Sequence, residues 1–298
     1  MKEYFQDKKR SKTPPYAIFQ ADEADTVITL YESGKVVFQG TSADVDAQMW
    51  KEMEQHLNPG KKIEEKKEKK KTEKKETKDP KLYYITSIGS DEVGTGDYFG
   101  PIVVTAAYVS KEEIPFLESL GVRDSKKLDD LKIMEIVPEI IQRIPYKSFI
   151  LTNEEYNQKY SEDINMNKIK AILHNKALLQ LTKEYPNTDY VVVDQFAKPE
   201  IYFRYLKGTT AYQNITFVTK GEDKCLSVAC ASLISRYIFL KEFDKLGEAI
   251  GMFLPKGASN EVDETGVKIV RKYGFDYLTK VAKLNFKNTE KIKQKMEL

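Results

Sequence analysis

Residues 85–109 read ITSIGSDEVGTGDYFGPIVVTAAYV, and the rest of the chain can be interpreted around this stretch. An apolar run stops at the adjacent acids Asp91 and Glu92, a glycine-rich segment that includes Gly94 and Gly96 follows, and a second apolar run completes the stretch. Two neighbouring carboxylates at the end of a strand, beside a loop whose backbone can be approached closely, are suited to binding a hard divalent cation and a phosphate group.

The composition allows a core but excludes a uniformly basic protein. The chain has 298 residues, of which 41% are hydrophobic and 32% charged, which is enough for one or two domains. Its formal net charge is only +2. Residues 1–60 carry seven basic and ten acidic side chains, whereas residues 61–80 carry ten lysines and six acids. Any binding of a polyanion must therefore depend on local patches.

Residues 1–60 predict a small α+β domain. Apolar alternation at 16–19, 27–31 and 35–38, with turn residues between, predicts a meander of three short strands. A helix is predicted over 45–57, with one apolar face formed by Val45, Met49, Met53 and Leu57. A unit of this size is either an accessory binding module or a layer that packs against a larger domain.

Residues 61–80 form the clearest boundary. They contain one apolar residue, Ile63, and end at Pro80. Such a segment cannot bury enough surface to order itself. We therefore expect a solvated tether between the N-terminal domain and a domain that spans 81–298, with a weak attraction of its lysines for phosphates as the alternative role.

Residues 81–298 alternate between strand-like and helix-like segments, which is typical of an α/β domain with helices on both faces of a mixed sheet. A helix is predicted after the capping signal 124–127, with a kink or interruption near Pro138. Its expected apolar face consists of Leu128, Leu131, Met134, Val137 and Ile141. Longer helices are predicted over 164–185 and 225–245, and strands over 83–88, 102–109, 148–151, 190–193 and 215–218.

Acids stand at the carboxyl ends of these strands. Asp91 and Glu92 end the first strand of the larger domain, and Asp194 follows 190–193, a continuously apolar run that is typical of a strand buried on both faces. Ligand sites in open α/β sheets gather at the carboxyl ends of strands, so these acids are expected to converge.

A third source of carboxylates follows the fifth strand, where Glu222 and Asp223 are adjacent. Acids from three segments predict a site for two Mg²⁺ or Mn²⁺ ions, which take oxygen ligands. Two such ions stabilise the attacking and leaving oxygens of an in-line phosphoryl displacement. The sequence leaves open which of the two acids takes part.

Other catalytic motifs do not fit. Residues 94–100 have GxGxxxG spacing, acids precede them and a strand follows, so the loop is not a dinucleotide-binding turn. The chain contains no GxxxxGK[ST] motif. With His56 and His174 as the only histidines, no Ser-His-Asp triad can be argued, and His174 is expected to be structural or solvent-facing.

The compartment is predicted from cysteines and hydropathy. Cys225 and Cys230 match no zinc pattern and are expected to be small buried residues in a reducing compartment. The N-terminus lacks the apolar region of a signal peptide, and no apolar run has the length of a membrane span. We expect a cytoplasmic protein without a membrane segment.

Four segments resemble, in order, the motifs of type 2 ribonucleases H. They are SDEVGTGDYFGP, DSKKL at 124–128, VVDQF at 192–196 and KGED…SVACASLISR at 220–236. The chain is similar to ribonuclease HIII in particular, because Thr95 stands where ribonuclease HII has an arginine and because 282–290 resembles the HIII ending. The segment 31–40 fits the TATA-box-binding-protein-like N-terminal domain of that family.

The resemblance implies a role for each matching residue. The metal ligands would be Asp91, Glu92, Asp194 and Glu222, with Asp223 as the alternative fourth acid. The backbone of Gly94, Thr95 and Gly96 would contact ribose 2′-hydroxyls, which distinguish RNA from DNA. Contacts to phosphates and to the nucleic-acid backbone would come from Ser125, Lys126, Lys127, Ser232 and Arg236, with a structural ion pair as the alternative for Arg236.

The resemblance also implies a ribonuclease-H-like fold and an activity. The chain would be an endonuclease that cuts the RNA strand of RNA–DNA hybrids by two-metal-ion hydrolysis with Mg²⁺ or Mn²⁺, leaving 5′-phosphate and 3′-hydroxyl ends. The N-terminal domain would hold the hybrid, helped by the basic run Lys8, Lys9 and Arg10. We expect a monomer. The alternatives are another metal-dependent nuclease on the same fold and a non-catalytic nucleic-acid-binding protein.

Overall fold

The computed structural model of the chain describes residues 1, 3–11, 13–23, 26–40, 43–58 and 80–297. The chain forms two compact units, Met1–Lys75 and Glu76–Leu298. Residues 61–79 of the predicted tether lie outside the described residues. That this segment is a solvated tether, and where the predicted domains begin and end, therefore stay predictions.

The N-terminal unit is a three-stranded antiparallel meander with one helix, as its alternation predicts. Phe19, Ala21 and Ile28 of the first two strands pack with Phe5 and Trp50 to form its core. The elements are β1 (Ala17–Glu23), β2 (Thr26–Tyr31), β3 (Val36–Gly40) and α1 (Ala43–Leu57).

The apolar face predicted for α1 is wrong. Met49 and Met53 are each 40% exposed and Leu57 is 69% exposed, whereas Trp50 is buried. The side chain of Val45 lies outside the described residues. Trp50 is rotated by about 100° from Met49 around the helix. Burial of the large indole stabilises the unit more than burial of Met49 and Met53 would, so the face with Trp50 turns inward.

The basic run of the N-terminal unit is neutralised by neighbouring strand residues. The ammonium of Lys8 lies 2.7 Å from Glu23, and the guanidinium of Arg10 lies 2.5 Å from Asp22. The hydrogen bond from Arg10 lowers the pKa of Asp22. These two cations therefore offer a polyanion less attraction than the sequence suggested.

The C-terminal unit is built on a five-stranded mixed sheet in the order β6-β5-β4-β7-β8. The pairs β6–β5 and β5–β4 are antiparallel, whereas β4, β7 and β8 run parallel, so the carboxyl ends of these three strands meet at one edge. The strands are β4 (Ser87–Val93), β5 (Ile102–Val109), β6 (Tyr146–Leu151), β7 (Tyr190–Asp194) and β8 (Thr216–Val218).

Helices cover both faces of this sheet, as predicted for an α/β domain. Val191 and Val193 pack with Leu178 on one face, whereas Val192 packs with Val228 on the other. Within the described ranges, no helix is both long enough and apolar enough to cross a membrane. The helices are α2 (Pro80–Tyr83), α3 (Ile114–Ser119), α4 (Asp130–Arg143), α5 (Asn153–Lys159), α6 (Met166–Glu184), α7 (Pro199–Tyr205), α8 (Leu226–Ile250), α9 (Asn260–Tyr273), α10 (Leu278–Val281) and α11 (Lys287–Met296).

The start of α4 differs from the prediction. The N-cap is Asp129, whose carboxylate accepts a hydrogen bond from the backbone N–H of Lys132 at 2.8 Å. Residues 124–127, expected to cap the helix, belong instead to a 3-10 helix, Val122–Lys127. The helix continues through Pro138 without interruption.

The face predicted for α4 is wrong at two of its five positions, whereas Leu128 and Ile141 pack against the core as expected. Leu131 is 82% exposed and Met134 is 36% exposed, whereas Val137 is buried as expected. Apolar residues surround much of this helix, so periodicity alone allows two faces. The residues that enter the core are Ile133, Ile136, Val137 and Ile140.

Candidate active site

The parallel pairing of β4 and β7 brings two acids together. Ser90 pairs with Val193, and the next residues along the two strands are Asp91 and Asp194. The two carboxylates therefore stand side by side at the carboxyl edge of the sheet, where the sequence predicted their convergence.

Asp91 and Glu92 point to opposite faces of the sheet, because successive side chains of a strand alternate. Asp91 faces α8, where the hydroxyl of Ser232 hydrogen-bonds to its carboxylate. Glu92 faces α6, where it lies 2.5 Å from the ammonium of Lys170 and 2.9 Å from Nε2 of His174. The adjacent acids therefore have different surroundings.

These surroundings shift the two pKa values in opposite directions. Burial, and then the nearby charge of Glu92, raise the pKa of Asp91. Burial also disfavours the charged form of Glu92, but the hydrogen bond from His174 and the charges of His174 and Lys170 outweigh it and lower the pKa of Glu92. Asp91 is thus a carboxylate that an additional cation would stabilise.

Asp194 is held in place by the segment that carries the next acids. The backbone N–H of Gly221 donates a hydrogen bond to Oδ1 of Asp194 at 2.7 Å. Burial raises the pKa of Asp194, and the charges of Glu222 and Glu92 add to this effect against the hydrogen bond from Gly221. Asp91 and Asp194, unlike Glu92, therefore lack sufficient positive charge around their carboxylates.

The 3-10 helix Gly221–Asp223 presents Glu222 and Asp223 differently. The side chain of Glu222 is 15% exposed and that of Asp223 is 40% exposed. Within the described part of the chain, Oε2 of Glu222 is buried and has no hydrogen-bond partner. Lys126 lies 2.6 Å from Oε1 of Glu222 and 2.7 Å from Asp223. Glu222 is thus the acid that faces inward.

Glu92 and Glu222 are turned towards protein cations, whereas Asp91 and Asp194 accept hydrogen bonds from Ser232 and from the backbone of Gly221. Within the described ranges, no group of three or more His, Cys, Asp or Glu side chains is arranged so that it could hold a metal ion. Glu92 is engaged by Lys170 and His174, and Glu222 by Lys126.

The glycine loop follows β4 directly. Gly94 has a φ of +93°, and a Cβ atom there would lie 2.1 Å from the carbonyl oxygen of Pro101, so only glycine fits. Gly96 is exposed, and a Cβ atom there would meet nothing within 4 Å. Thr95, between them, is partly buried. The backbone at Gly96 can therefore be approached from outside.

A buried lysine fixes the far end of this loop. Lys283 is 0% exposed, and its ammonium donates hydrogen bonds to the carbonyl oxygens of Asp97 at 2.8 Å and Gly100 at 2.5 Å. Burial lowers the pKa of Lys283 to about 7, although the charge of Asp97 opposes the shift.

The residues expected to bind phosphate are partly engaged within the protein. Ser125 is buried, and Lys126 and Lys127 are exposed. Arg236 donates to Oδ1 of Asp130 at 2.9 Å, which gives it the ion pair that the sequence allowed as its alternative role. Of the predicted set, Ser232 hydrogen-bonds to a strand acid, Asp91.

Three side chains at this site were not recognised from the sequence. His174, expected to be structural or solvent-facing, is fully buried between Glu92 and Ser90, with Nδ1 2.8 Å from the hydroxyl of Ser90. Lys170 and His174 are four residues apart on the buried face of α6, so two basic residues within an apolar row were the available signal. The third is Lys283, for which the sequence offered no comparable signal.

Most of the chain is similar to proteins of a known family. The ribonuclease HII family matches residues 88–289, and a family described only as a domain of unknown function matches residues 1–64. Ribonuclease HIII of Bacillus licheniformis is 43% identical over 288 residues, covering 93% of this chain and 88% of that protein. Ribonuclease HIII of Bacillus mycoides is 41% identical, covering 98% and 93%.

Solved structures of ribonuclease HIII have a fold similar to that of this chain. A single-substitution mutant of Bst-RNase HIII has a TM-score of 0.70 at 38% identity and covers 95% of this chain and 90% of that one. Bst-RNase HIII in complex with Mn²⁺ has a TM-score of 0.68 at 36% identity, covering 98% and 93%. The N-terminal meander and helix fit the small TATA-binding-protein-like domain expected of this group. The chain therefore belongs to the ribonuclease HIII group of the ribonuclease HII family and is a hydrolase of the ribonuclease H type.

Proposed function

We propose that this protein is an endonuclease that hydrolyses the RNA strand of RNA–DNA hybrids at the carboxyl edge of its five-stranded sheet. The observation that carries the proposal is the placement of Asp91, Asp194 and Glu222 along that edge, beside an exposed backbone at Gly96. Acids in this position and a loop open to the ribose are what the family's activity requires.

We infer that Asp91, Glu92, Asp194 and Glu222 hold divalent cations, either Mg²⁺ or Mn²⁺, in two positions. Three observations fit a cation here: the raised pKa values of Asp91 and Asp194, the unpartnered Oε2 of Glu222 among the described residues, and the ammonium of Lys126 drawn to that acid. The related Bst-RNase HIII has been solved in complex with Mn²⁺. Bound cations would supply the Lewis acidity that stabilises charge on the scissile phosphate.

The acids do not contribute equally. Asp91, Asp194 and Glu222 are grouped by the β4–β7 pairing and by the hydrogen bond from Gly221 to Asp194. Glu92 approaches from the other face and is kept ionised by Lys170 and His174. Glu222, rather than Asp223, is assigned as the fourth acid, because it is the more buried of the two.

The remaining residues position the substrate. The backbone of Gly94, Thr95 and Gly96 contacts the ribose 2′-hydroxyl, and Ser125, Lys126, Lys127, Ser232 and Arg236 contact phosphates or hold the residues that do. Water then adds to the phosphorus and the 3′-oxygen leaves, which gives 5′-phosphate and 3′-hydroxyl ends. The N-terminal unit holds the hybrid, and the free, buried cysteines accord with a cytoplasmic enzyme.

The test is cleavage of end-labelled RNA–DNA hybrid, duplex DNA and duplex RNA by the full chain with Mg²⁺ or Mn²⁺. We expect cleavage within the RNA strand of the hybrid and not of either other duplex. Comparable cleavage of duplex DNA would assign the protein to another class of nuclease. Binding without cleavage in both metals would contradict an enzymatic role.

A further inference from the structure

Residues 251–257 connect α8 to α9 and are anchored between the two loops assigned to the substrate. The backbone N–H of Gly257 donates to Oδ1 of Asp97 at 2.6 Å, and the N–H of Tyr98 donates to the carbonyl of Gly257 at 2.8 Å, which ties the segment to the glycine loop. Lys256 forms an ion pair with Asp130, at the start of α4. The segment therefore adjoins the glycine loop and the start of α4, which follows residues 124–127 in the chain.

The segment holds one aromatic ring in solvent. Phe253 is 82% exposed. The structure describes all the phenylalanines of the chain, and Phe253 is the only exposed one among them. The next residue, Leu254, is buried in the core formed with Val262 and Phe243. A ring placed outward by a buried neighbour loses little conformational entropy when it binds a partner.

Two cations meet at the end of the segment. Lys256, the one charged residue of 251–257, and Arg236 of α8 both donate hydrogen bonds to Asp130, so they share one carboxylate. The side chains of Arg236 and Lys256 are 37% and 45% exposed. A phosphate group can therefore reach this pair of cations from solvent.

We propose that residues 251–257 form a further nucleic-acid subsite, in which Phe253 packs against a base or sugar and Lys256, with Arg236, contacts a backbone phosphate. An exposed ring next to cations is the combination that binds a nucleic-acid strand without reading its sequence. This inference rests on the proposed function and extends it to a third contact element of the same site. The partner is the bound hybrid.

The experiment measures affinity for a fluorescently labelled RNA–DNA hybrid by anisotropy, with the full chain and EDTA present so that nothing is cleaved. Phe253→Ala is expected to raise the Kd about tenfold. Lys256→Gln is expected to reduce the slope of log K against log salt by about 1. Matched controls are Tyr190→Ala, an exposed aromatic at the opposite end of β7 from Asp194, and Lys245→Gln, an exposed lysine on α8.

A direct readout comes from Phe253→Trp. Stacking on a nucleobase should quench the new tryptophan fluorescence as hybrid is added, above the small change given by Trp50 in the wild-type chain. A merely structural role for Phe253 would not produce this signal, and thermal unfolding of each variant controls for folding.

The outcomes separate this inference from the proposed function. The subsite would be overturned if Phe253→Ala and Lys256→Gln bound the hybrid like their controls and Phe253→Trp showed no quenching. The exposed ring would then be assigned to another partner. A wild-type chain that neither binds nor cleaves the hybrid would overturn the proposed function itself.

Discussion

The ammonium of Lys126 lies 2.6 Å from Oε1 of Glu222, and the same ammonium lies 2.7 Å from Asp223. Lys126 therefore links the loop proposed to bind phosphate to the last acids of the proposed site. The two distances to Lys126 are nearly equal, so they do not favour either acid. Burial favours Glu222, because its side chain is 15% exposed and that of Asp223 is 40% exposed.

We predict that Glu222→Gln and Asp223→Asn differ sharply in activity. Losing a carboxylate that holds a catalytic cation removes several kcal/mol of transition-state stabilisation, so Glu222→Gln should reduce single-turnover hybrid cleavage by about 100-fold or more. Asp223→Asn should lose less than about fivefold, as expected for an exposed ion pair. The assignment would be reversed if Asp223→Asn were the more damaged variant.

We predict that His174→Ala weakens cation binding, although His174 does not face the cleft. His174 holds Glu92 through Nε2, and the pKa of Glu92 is lowered mainly by that contact against the cost of burial. Residues that orient a metal ligand typically affect affinity by about 10- to 100-fold. Isothermal titration with Mn²⁺ measures the change, and His56→Ala, on α1 of the N-terminal unit, is the control. Equal Mn²⁺ affinity in both variants would contradict an orienting role.

We predict that two glycines of one loop respond differently to alanine. Gly94→Ala should reduce the free energy of unfolding by about 3 kcal/mol, because φ is positive and the added Cβ meets Pro101 and Phe239. Gly96→Ala has open space and should leave the melting temperature unchanged while it weakens hybrid cleavage. Thermal unfolding and cleavage assays on both variants check this. Wild-type activity in Gly96→Ala would remove this backbone from the ribose contact.

We predict that Lys283 makes stability depend on alkaline pH. Its pKa is about 7 in the folded chain, against an ordinary value of 10.5, because burial disfavours the ammonium. Between these two values the unfolded chain binds a proton that the folded chain does not, so the free energy of unfolding contributed by Lys283 rises with pH through this window. Below pH 7 both states are protonated and the full cost of burial remains.

Urea unfolding of the wild-type chain and of Lys283→Met, at about pH 7 and about pH 9.5, isolates this contribution because other groups titrate equally in both. The wild type should gain stability relative to Lys283→Met at the higher pH. Parallel pH dependences would show that Lys283 is not the group responsible.

Most strands were predicted from local patterns, but the strand predicted over 83–88 is displaced, because β4 spans Ser87–Val93 and Pro80–Tyr83 is helical. The run 190–193 is apolar at every position, so both its strand character and its burial on two faces follow from the residues alone. Asp91 lies near the end of β4 and Asp194 ends β7, and the parallel pairing of these strands brings the two acids together.

The contacts behind the acids could not be predicted from local patterns. Glu92 meets Lys170 and His174 only because α6 crosses one face of the sheet, and no local spacing encodes that packing. The errors in the predicted apolar faces of the helices have a different cause. In α4 apolar residues occur on several sides, and which row enters the core is decided by the neighbouring helices.

The most direct test of the whole account is the single-turnover rate of cleavage of the RNA strand of a labelled hybrid by Asp91→Asn, measured beside its affinity for the same hybrid. The account predicts that cleavage falls by about 1,000-fold or more while hybrid affinity stays within about twofold of wild type, because Asp91 holds cations and does not touch the duplex. Cleavage at the wild-type rate by a folded Asp91→Asn would contradict the assignment of this sheet edge as the active site.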